Sequence, residues 1–399
     1  MLRGSKIVLG ITGGIAAYKA AGLTRLLVKQ GAAVKVIMTA HAREFITPLT
    51  LQTLSGQPVY SDMFAPWQED GLAHISLADY ADILVIAPAT ANSIGKIAGG
   101  LADDLLTTTV MATKAPVLLC PAMNANMLAQ ASVQENMEKL AARGFYLLAP
   151  AYGELACKAA GAGRLPEIED IVEEIETILT AKDLTGEKIL VTAGPTREPL
   201  DPVRFITNYS SGKMGYALAI AAKRRGAEVT LVSGPSALPL PRGMKYIGVS
   251  TAVEMRDAVL ENYRQSTVVI KAAAVADYRP AVRAENKIKK RDDTLLLKLE
   301  RNPDIIAELG KNKGKRFLIG FAMESENLVE NAASKMAKKN MDYIVANLVT
   351  KKGAGFQGDT NIVTIMGRDG IIEELPLLDK MQVADRILDK LIGRNQRSS

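Results

Sequence analysis

The residues most suited to chemistry lie in one run, LVTAGPTREPLDPVRFITNYSSGKMG, at residues 190–215. An apolar stretch over Ile189–Thr192 predicts a buried strand, and a helix is expected to begin near Gly212. Between them lies a long loop rich in glycine, proline, serine and arginine, and such loops are usually functional. Its N–H groups, hydroxyls and arginines would lie at the carboxyl edge of an open α/β sheet, where phosphates bind.

A second candidate site lies near the N-terminus, where Gly13 and Gly14 follow an apolar strand and open a helix. Backbone N–H groups and the helix dipole can face an anion there. The sequence GITGG is not the GxGxxG pattern, and the second strand ends in Thr39, where NAD-binding proteins carry an acidic residue. A mononucleotide or another phosphate is therefore favoured over NAD, with a tight turn that binds nothing as the alternative.

Three further segments of the first half carry polar groups after apolar runs: TAN at 90–92, PAMNANM at 121–127 and GELACKAAGAGRLPE at 153–167. Each is a weak signal alone. A lone histidine such as His74 is more often structural than catalytic, and Asn124 could simply cap a helix. Cys157 fits a small buried hydrophobe, although its glycine-rich loop argues against burial.

The second half carries charged groups in a comparable arrangement. SSGKMG at 210–215 does not fit a P-loop, because Met214 stands where Ser or Thr must reach Mg²⁺. Asp277 follows the strand VVIK and suits Mg²⁺ or a nucleotide contact. KIKK at 287–290 and the i,i+4 pair Lys335 and Lys339 offer compact cations for a triphosphate, or are ordinary solvated charges.

Composition restricts the classes of protein that remain. The 399 residues are 48% hydrophobic and 5% aromatic, with a net charge of +6, which suits anionic small molecules without requiring nucleic acid. Two cysteines and two histidines argue against a disulfide scaffold or a structural metal site. No apolar run is long enough for a membrane span, and the N-terminus does not resemble a signal peptide, so we expect a cytoplasmic protein without membrane partners.

Alternating apolar strands and amphipathic helices predict two doubly wound, mainly parallel α/β domains of the Rossmann-like type. KIVLGITGG at 6–14 is echoed by KILVTAGPT at 188–196, and we place the boundary at 186, giving domains 1–186 and 187–399. Charge-rich residues 281–301 predict a mobile loop or a hairpin. The other expected elements are strands at 6–11, 34–38, 82–87, 117–120, 146–149, 267–271, 316–321, 343–347 and 361–366, and helices at 15–30, 93–108, 133–143, 167–182 and 380–392.

The first half resembles the flavin-dependent cysteine decarboxylases, especially phosphopantothenoylcysteine decarboxylase, through GGIAAYK, HISL, APATAN, ADDLL, PAMNANM and LAC…GAGRLPE in that order. The resemblance implies a flavodoxin-like fold and FMN-dependent oxidation of a cysteinyl thiol, followed by loss of CO₂. It makes His74 the active-site base, Asn124 the ligand of the substrate carboxylate, and Cys157 the final proton donor. Lys158, where many members have glycine, is a departure. The implied FMN contacts are Gly13, Gly14, Thr39, Thr90, Ala91, Asn92 and Met123, and Arg164 is a further substrate contact.

The second half resembles bacterial, CTP-using phosphopantothenate–cysteine ligases through the 190–215 run, AAAVADY, KIKK, NPDI and GFAMES. The resemblance implies an acyl-cytidylate that the cysteine amine attacks, with Asn208 acting on that intermediate and Lys287 gripping the triphosphate. Arg204 would hold a substrate phosphate or carboxylate, and Tyr209 stands where arginine is commoner. Mg²⁺ is expected mainly on the phosphates, with Asp277 as a candidate ligand. The implied CTP contacts are Asp277, Lys287, Asn302, Pro303, Asp304, Ile305, Phe321, Lys335 and Lys339.

Together the halves have the layout of bifunctional coenzyme A biosynthesis enzymes, whose substrates are 4′-phosphopantothenate, cysteine and CTP. That resemblance also implies a homo-oligomer, with a dodecamer and dimerised ligase domains as the expected form. Three alternatives stay open: a flavin prenyltransferase-like first half, a flavin-binding regulator without catalysis, and an NAD dehydrogenase. The Cys157 loop disfavours the first, the presence of His74, Asn124 and Cys157 disfavours the second, and Thr39 disfavours the third.

Overall fold

The computed structural model describes residues 2–64, 72–154, 160–289, 295–324, 328–348 and 358–392. The chain divides into two compact units, Met1–Thr180 and Ala181–Ser399. Cys157 and Lys158 lie outside the described residues, as does the last lysine of KIKK.

The first unit is built on a six-stranded, wholly parallel sheet with the order β3-β2-β1-β4-β5-β6. Helices cover both faces, because its central strands are buried on both sides. Strands β7 and β8 form a separate antiparallel pair. The strands are β1 Lys6–Ile11, β2 Ala33–Met38, β3 Val59–Tyr60, β4 Ile83–Ala89, β5 Val117–Pro121, β6 Tyr146–Leu147, β7 Ala151–Glu154 and β8 Ala160–Arg164. The helices are α1 Lys19–Lys29, α2 Pro48–Ser55, α3 Ala73–Tyr80, α4 Ala91–Gly99, α5 Leu105–Ala112, α6 Ala125–Leu128, α7 Ala131–Ala142 and α8 Ile168–Leu179, with 3₁₀ turns at Ile15–Tyr18 and Ala40–Glu44.

The second unit repeats this design in an eight-stranded sheet of order β13-β12-β9-β14-β17-β18-β20-β21. The first six strands in that order are parallel, and the last two are antiparallel. The strands are β9 Lys188–Ala193, β10 Glu198–Pro199, β11 Phe205–Ile206, β12 Glu228–Ser233, β13 Lys245–Gly248, β14 Val268–Lys271, β15 Tyr278–Pro280, β16 Leu299–Arg301, β17 Phe317–Glu324, β18 Tyr343–Leu348, β19 Thr360–Asn361, β20 Val363–Gly367, β21 Ile372–Glu374 and β22 Leu378–Asp379. The helices are α9 Lys213–Arg224, α10 Ala252–Tyr263, α11 Ile305–Lys311, α12 Leu328–Lys338 and α13 Lys380–Ile392.

The doubly wound, mainly parallel fold expected from the sequence is therefore confirmed. In each unit the chain builds outward from a central strand, then crosses to that strand's other side. The strand order reverses between β1 and β4 in the first unit and between β9 and β14 in the second. Such switch points leave a crevice at the carboxyl ends of the strands.

The prediction of one helix is wrong. Residues 93–108 were expected to form a single helix, but the chain forms α4 and α5 instead. Gly100 adopts a left-handed conformation with φ 74° and ends α4. Asp104 then starts α5 with a capping box, in which its carboxylate accepts the Thr107 N–H at 2.8 Å. Local capping groups thus override the continuous helical pattern. The strand expected at 146–149 is also shorter, since β6 ends at residue 147.

The second unit is anchored at its beginning by a buried arginine. Arg225 is 5% exposed, and its guanidinium donates to Asp183 at 2.8 and 2.9 Å and to Asp389 at 2.9 Å. This arrangement ties the first residues of the unit to α9 and α13. We expect Arg225→Met to lower the unfolding free energy of this unit by about 2–4 kcal/mol, because two carboxylates lose their partner. Urea unfolding followed by hydrogen exchange in peptides of the second unit would measure it.

The matched control for that substitution is Arg256→Met. Arg256 pairs with Glu308 at 2.7 Å, but both side chains are about one-third exposed, at 35% and 32%. The loss there should stay within about 1 kcal/mol. Equal losses for the two variants would show that burial does not decide the strength of the Arg225 cluster.

Candidate active sites

The crevice of the first unit is formed by the ends of β1 and β4. The Thr12 hydroxyl donates to the Pro88 carbonyl at 2.8 Å and accepts the Thr90 N–H at 3.0 Å, which joins the two strand ends. A Cβ at Gly13 would lie 2.2 Å from the Cβ of His41 and 2.9 Å from its carbonyl carbon. Only glycine therefore allows the two backbones to approach this closely at the switch point.

Polar groups at this edge are suited to a phosphate-bearing ligand. Thr39 follows β2, and its buried hydroxyl has no hydrogen-bond partner in the described structure. Thr90 caps α4, with its hydroxyl accepting the Ser93 N–H at 3.4 Å, and Asn92 is exposed in the first turn. A buried hydroxyl without a partner is costly unless a ligand supplies one. The predicted residues at 13–14, 39 and 90–92 thus meet at one crevice, and they fit a group that carries phosphate and hydroxyls.

Gly13→Ala tests that crevice. The added methyl must displace backbone, so we expect the first unit to lose about 1–3 kcal/mol and to lose most of the flavin binding that the sequence resemblance predicts. Flavin absorbance per polypeptide and thermal unfolding would measure both effects. Gly95→Ala in α4 is the control, because its Cβ would meet nothing closer than 3.7 Å. Full flavin content in Gly13→Ala would rule out ligand binding against this turn.

His74 and Asn124 lie at the same edge of the sheet. His74 is in the first turn of α3, the helix that returns from β3 to the start of β4, so this turn lies at the carboxyl edge. Its Nδ1 is buried and has no hydrogen-bond partner among the described residues. Asn124 follows β5 and caps α6 by accepting the Asn126 N–H at 2.8 Å. Asn124 therefore caps a helix, as one interpretation of the sequence allowed. None of the hydrogen bonds described here joins it to His74.

The β7–β8 pair packs against the loop that carries Asn124. The Met123 N–H donates to the Gly163 carbonyl at 2.9 Å. Arg164 ends β8, and its guanidinium pairs with Glu167 at 3.2 Å. The segment that connects these strands contains Cys157, and the pairing places Glu154 and Ala160, which flank that segment, opposite each other. Arg164 already has an anionic partner, and a substrate anion would have to compete with it.

In the second unit a cavity of about 740 Å³ opens at the switch point between β9 and β14. It gathers most of the residues that the sequence marked as nucleotide contacts, from four separate parts of the chain. Lys287 and Arg204 do not line it. The predicted residues on its wall are Asn208, Asp277, Asn302, Pro303, Asp304, Ile305, Phe321, Lys335 and Lys339.

The loop after β9 is held over this cavity by contacts with the loop after β14. The Asn208 side-chain amide donates to the Ala274 carbonyl at 2.7 Å, and its oxygen accepts the Ser210 N–H at 3.0 Å. The Thr196 hydroxyl accepts the Ala276 N–H at 3.0 Å. These contacts give Asn208 one orientation at the cavity wall.

Asn302 connects the AAAVADY segment to the strand pair β15–β16. Its amide donates to the Ala276 carbonyl at 2.8 Å, and its backbone N–H donates to the Asp277 carbonyl at 2.9 Å. Arg279 completes the set by donating to the Asn302 side-chain oxygen at 3.1 Å. The flanks of the charge-rich segment at 281–301 are therefore ordered as an antiparallel pair, as the hairpin alternative expected.

A charge cluster lies on the same wall. Lys339 pairs with Asp304 at 2.8 Å, and Asp304 also caps α11. Lys271, at the carboxyl end of β14, was missed by the sequence reasoning. Burial and, to a smaller extent, nearby Lys339 lower the pKa of Lys271 to about 8, against the opposing effect of Asp304 and Asp277. The signal was present in the sequence, because a lysine that ends the apolar run VVIK must lie where the sheet opens.

Arg204 has a different environment from the one expected. Its guanidinium donates to Asp201 at 2.9 and 2.6 Å and to the Ile288 carbonyl at 2.7 Å. Asp201, which is 2% exposed, also accepts the N–H groups of Val203, Arg204 and Ile288. Burial raises the pKa of Asp201, but Arg204 and these N–H groups reverse that effect and hold it well below the usual range. The pair therefore fastens the KIKK segment, and with it Lys287, to the long loop.

Two family models together match almost the whole chain. The Flavoprotein model matches residues 1–180, and the DNA/pantothenate metabolism flavoprotein C-terminal domain matches residues 184–394. The coenzyme A biosynthesis bifunctional protein CoaBC of Bacillus subtilis is 48% identical over 402 residues, covering 100% of this chain and 99% of that protein. This chain belongs to the family of coenzyme A biosynthesis bifunctional proteins. The family predicted from the two sets of motifs is thereby confirmed.

Solved structures resemble each half separately. The C-terminal domain of a coenzyme A biosynthesis bifunctional protein CoaBC is 46% identical and covers 54% of this chain and 100% of its own length, with a TM-score of 0.48. A PPC decarboxylase mutant complexed with pantothenoylaminoethenethiol is 32% identical and covers 43% of this chain and 97% of its own length, with a TM-score of 0.40.

No cluster of three or more His, Cys, Asp or Glu side chains in the described ranges is placed to hold a metal ion. Nor does any helix in those ranges have the length and apolar character needed to span a membrane.

Proposed function

We propose that this family member ligates cysteine to 4′-phosphopantothenate with CTP in the second unit and decarboxylates the product to 4′-phosphopantetheine in the first. The proposed boundary is residue 186, close to where the chain divides into its two compact units. The observation that carries the proposal is the cavity of the second unit, where Asn208 and the nucleotide residues at 277, 302–305, 321, 335 and 339 meet.

In the proposed ligation, the pantothenoyl carboxylate attacks the α-phosphorus of CTP, and pyrophosphate leaves. The cysteine amine then forms the amide, and the acyl–oxygen bond to CMP breaks. Lys271, Lys335 and Lys339 place cations on the wall for the phosphate charge, and Mg²⁺ bound to the phosphates would add to them. Asp277 is the proposed additional Mg²⁺ ligand. Asn208 is held beside the reacting acyl group by its bond to Ala274.

In the proposed decarboxylation, FMN supplies the reversible two-electron oxidation of the substrate thiol. The crevice residues Gly13, Gly14, Thr39, Thr90, Ala91, Asn92 and Met123 would hold it. His74 would take the thiol proton through its buried Nδ1, which has no hydrogen-bond partner among the described residues. Asn124 would bind the substrate carboxylate from the start of α6, with Arg164 as a second polar contact. Cys157 would return the last proton.

The setting of the enzyme is part of the same proposal. We place it in the cytoplasm as a homo-oligomer, with a dodecamer and dimerised ligase units as the expected arrangement. Its partners are then the small-molecule substrates, with neither nucleic acid nor membrane involved. The support is the family resemblance, and sedimentation velocity of the purified flavoprotein would test the assembly.

Mass spectrometry of products after incubation with 4′-phosphopantothenate, cysteine, CTP and Mg²⁺ tests both activities. 4′-Phosphopantetheine, CMP and pyrophosphate are expected. If the uncleaved cysteine adduct were the only product, the ligase activity would be supported and the decarboxylase activity refuted. The first unit would then be better explained as a flavin-binding regulator. Absence of any adduct would refute the ligase. Replacing CTP by ATP in the same assay tests the nucleotide preference.

Lys287→Gln separates the two activities. Lys287 is exposed beside Ile288, which Asp201 and Arg204 hold in place. Lys287 lies outside the cavity wall, and its role at the triphosphate is proposed from the family resemblance. We expect ligation to fall at least about 100-fold, because the charge proposed to bind the triphosphate is lost, while decarboxylation of added phosphopantothenoylcysteine stays unchanged. Lys315→Gln, at an exposed position before β17, is the control. A parallel fall of both activities would contradict the division of labour.

A further inference from the structure

Two buried carboxamides lie on the cavity wall near the carboxyl end of β18 and at the end of β19. Asn347 is the last residue but one of strand β18 and is 9% exposed. Asn361 is the last residue of β19 and is 4% exposed. Both line the cavity. The side-chain oxygen of each is buried without a hydrogen-bond partner in the described structure. Two unpartnered acceptors on one wall are unusual, because each carries a desolvation cost.

These oxygens lie apart from two of the proposed nucleotide contacts, while a third, Phe321, is on the neighbouring strand β17. Asp277 and Asn302 follow β14, whereas Asn347 lies near the end of β18, two strands further along the sheet. Two strand spacings amount to about 10 Å at the carboxyl edge. This distance is suitable for a second substrate that must meet the first within one cavity.

The surroundings of the two oxygens carry net positive charge. Lys380 is 6% exposed on the same wall, and its ammonium donates to the Gly358 carbonyl. Lys213, in the first turn of α9, pairs with Asp359 at 2.6 Å. Two lysines and one aspartate, together with the N-terminus of α9, favour an anion at this corner.

An α-amino acid has both kinds of group that this corner requires. Its amine has N–H groups for the two oxygens, and its carboxylate suits the cations. A polyphosphate offers only acceptors and would leave both oxygens unsatisfied. Burial and the nearby lysines disfavour a further positive charge, so the corner also favours a neutral amine over an ammonium. Only the neutral amine has the electron pair that forms a C–N bond.

We propose that Asn347 and Asn361 accept hydrogen bonds from the amine of cysteine, and that the Lys380 corner binds its carboxylate. The inference rests on the proposed ligase function and adds the amino-acid subsite to it. During ligation the amine nitrogen bonds to the acyl carbon, the bonding electrons of the acyl–oxygen bond leave with CMP, and the amine proton passes to solvent.

Asn361→Leu and Asn347→Leu test the proposal. Each should raise the KM for cysteine about 10- to 100-fold, because hydrogen bonds to the amine are lost. Acyl-cytidylate formation, followed as pyrophosphate release without cysteine, and the KM for CTP should stay within about twofold of wild type, as expected for a site outside the nucleotide contacts. An unchanged KM for cysteine in both variants would overturn the subsite. Loss of acyl-cytidylate formation would instead make these residues nucleotide contacts and also overturn it.

Asn262→Leu is the matched control. Asn262 is 2% exposed, but its oxygen accepts from Lys245 at 2.9 Å and its amide donates to the Ala258 carbonyl at 2.8 Å. This substitution should lower the thermal midpoint and leave the KM for cysteine unchanged. Asn361→Leu should raise the KM for cysteine without lowering the thermal midpoint, because it removes a buried acceptor that had no partner in the described structure. A lowered midpoint without a KM effect would give Asn361 a structural role only.

A pH profile adds a readout that packing cannot produce. Asn361→Asp places a carboxylate against the amine, so the pH at which ligation is half-maximal should rise by about one unit. The other charges of the corner, Lys213, Asp359 and Lys380, are unchanged in this variant, as are Lys271, Lys335, Lys339, Asp277 and Asp304 elsewhere in the cavity. An unshifted profile would count against amine binding. If wild type formed no adduct, the ligase itself would fail, which differs from ligation with an unaltered KM.

Discussion

Replacing Asp201 by asparagine is expected to lower ligation at least about 100-fold, because a charged group must be fixed in position to stabilise a transition state. Decarboxylation of added phosphopantothenoylcysteine should not change. Asp201 does not touch the cavity. Its Oδ2 accepts two N–H groups of the Arg204 guanidinium and the Ile288 N–H at 3.1 Å, and its Oδ1 accepts the backbone N–H groups of Val203 and Arg204. Asparagine would turn one of these two acceptors into a donor that faces other donors, which would loosen the Lys287 segment.

The decisive measurement is the split between kcat and KM. If Asp201 positions Lys287, kcat for acyl-cytidylate formation should fall, and a second Lys287→Gln substitution should add little. Glu198→Gln is the control, since Glu198 is a buried acid in the same loop that accepts the Ala252 N–H at 3.0 Å. Additive losses in the double variant would show that Asp201 and Lys287 act independently.

This role for Asp201 shows what the sequence could and could not reveal. Local patterns located the elements well: β1 and α13 lie at the expected residues, because a buried strand and an amphipathic helix carry their own periodicity. The pattern also predicted which residues lie at the carboxyl edge of the sheet, since the parallel strands of an alternating α/β chain all end on the same side. Motif residues distant in sequence, such as Asn208 and Asp277, therefore line one cavity as expected.

The features that the sequence did not reveal share a physical cause. The charge of Arg204 suggested a substrate anion, which stays a prediction, but its ion pair with Asp201 was not foreseen. Asn347 and Asn361 stand on different strands, and only the three-dimensional structure shows that both amide oxygens are buried without partners. The expected helix at 93–108 failed because a left-handed Gly100 and a capping aspartate, Asp104, outweigh continuous periodicity. Pairing and burial are properties of the folded chain that spacing does not encode.

Replacing Lys271 by methionine should change stability and ligation in opposite directions. Burial lowers the pKa of Lys271 to about 8 from its ordinary value of 10.5. The unfolded chain therefore binds more protons between those values, so wild-type stability should rise with pH across that window. Below pH 8 the full cost of the buried charge is present. Lys271→Met should thus stabilise the second unit by about 2–3 kcal/mol at pH 7 and remove the rise above pH 8.

Ligation should instead fall about 100-fold in Lys271→Met, because the cation that the cavity keeps at a cost would no longer face the phosphates. CTP binding brings negative charge to Lys271 and raises its pKa, so wild type at pH 8 should take up a fraction of a proton, at most about one half. Calorimetry in buffers of different ionisation enthalpy would measure this uptake, and Lys315→Met should retain it. If Lys271→Met took up the same proton fraction, another group would be titrating. If the Lys271→Met variant ligated normally, the buried lysine would destabilise the second unit without contributing to ligation.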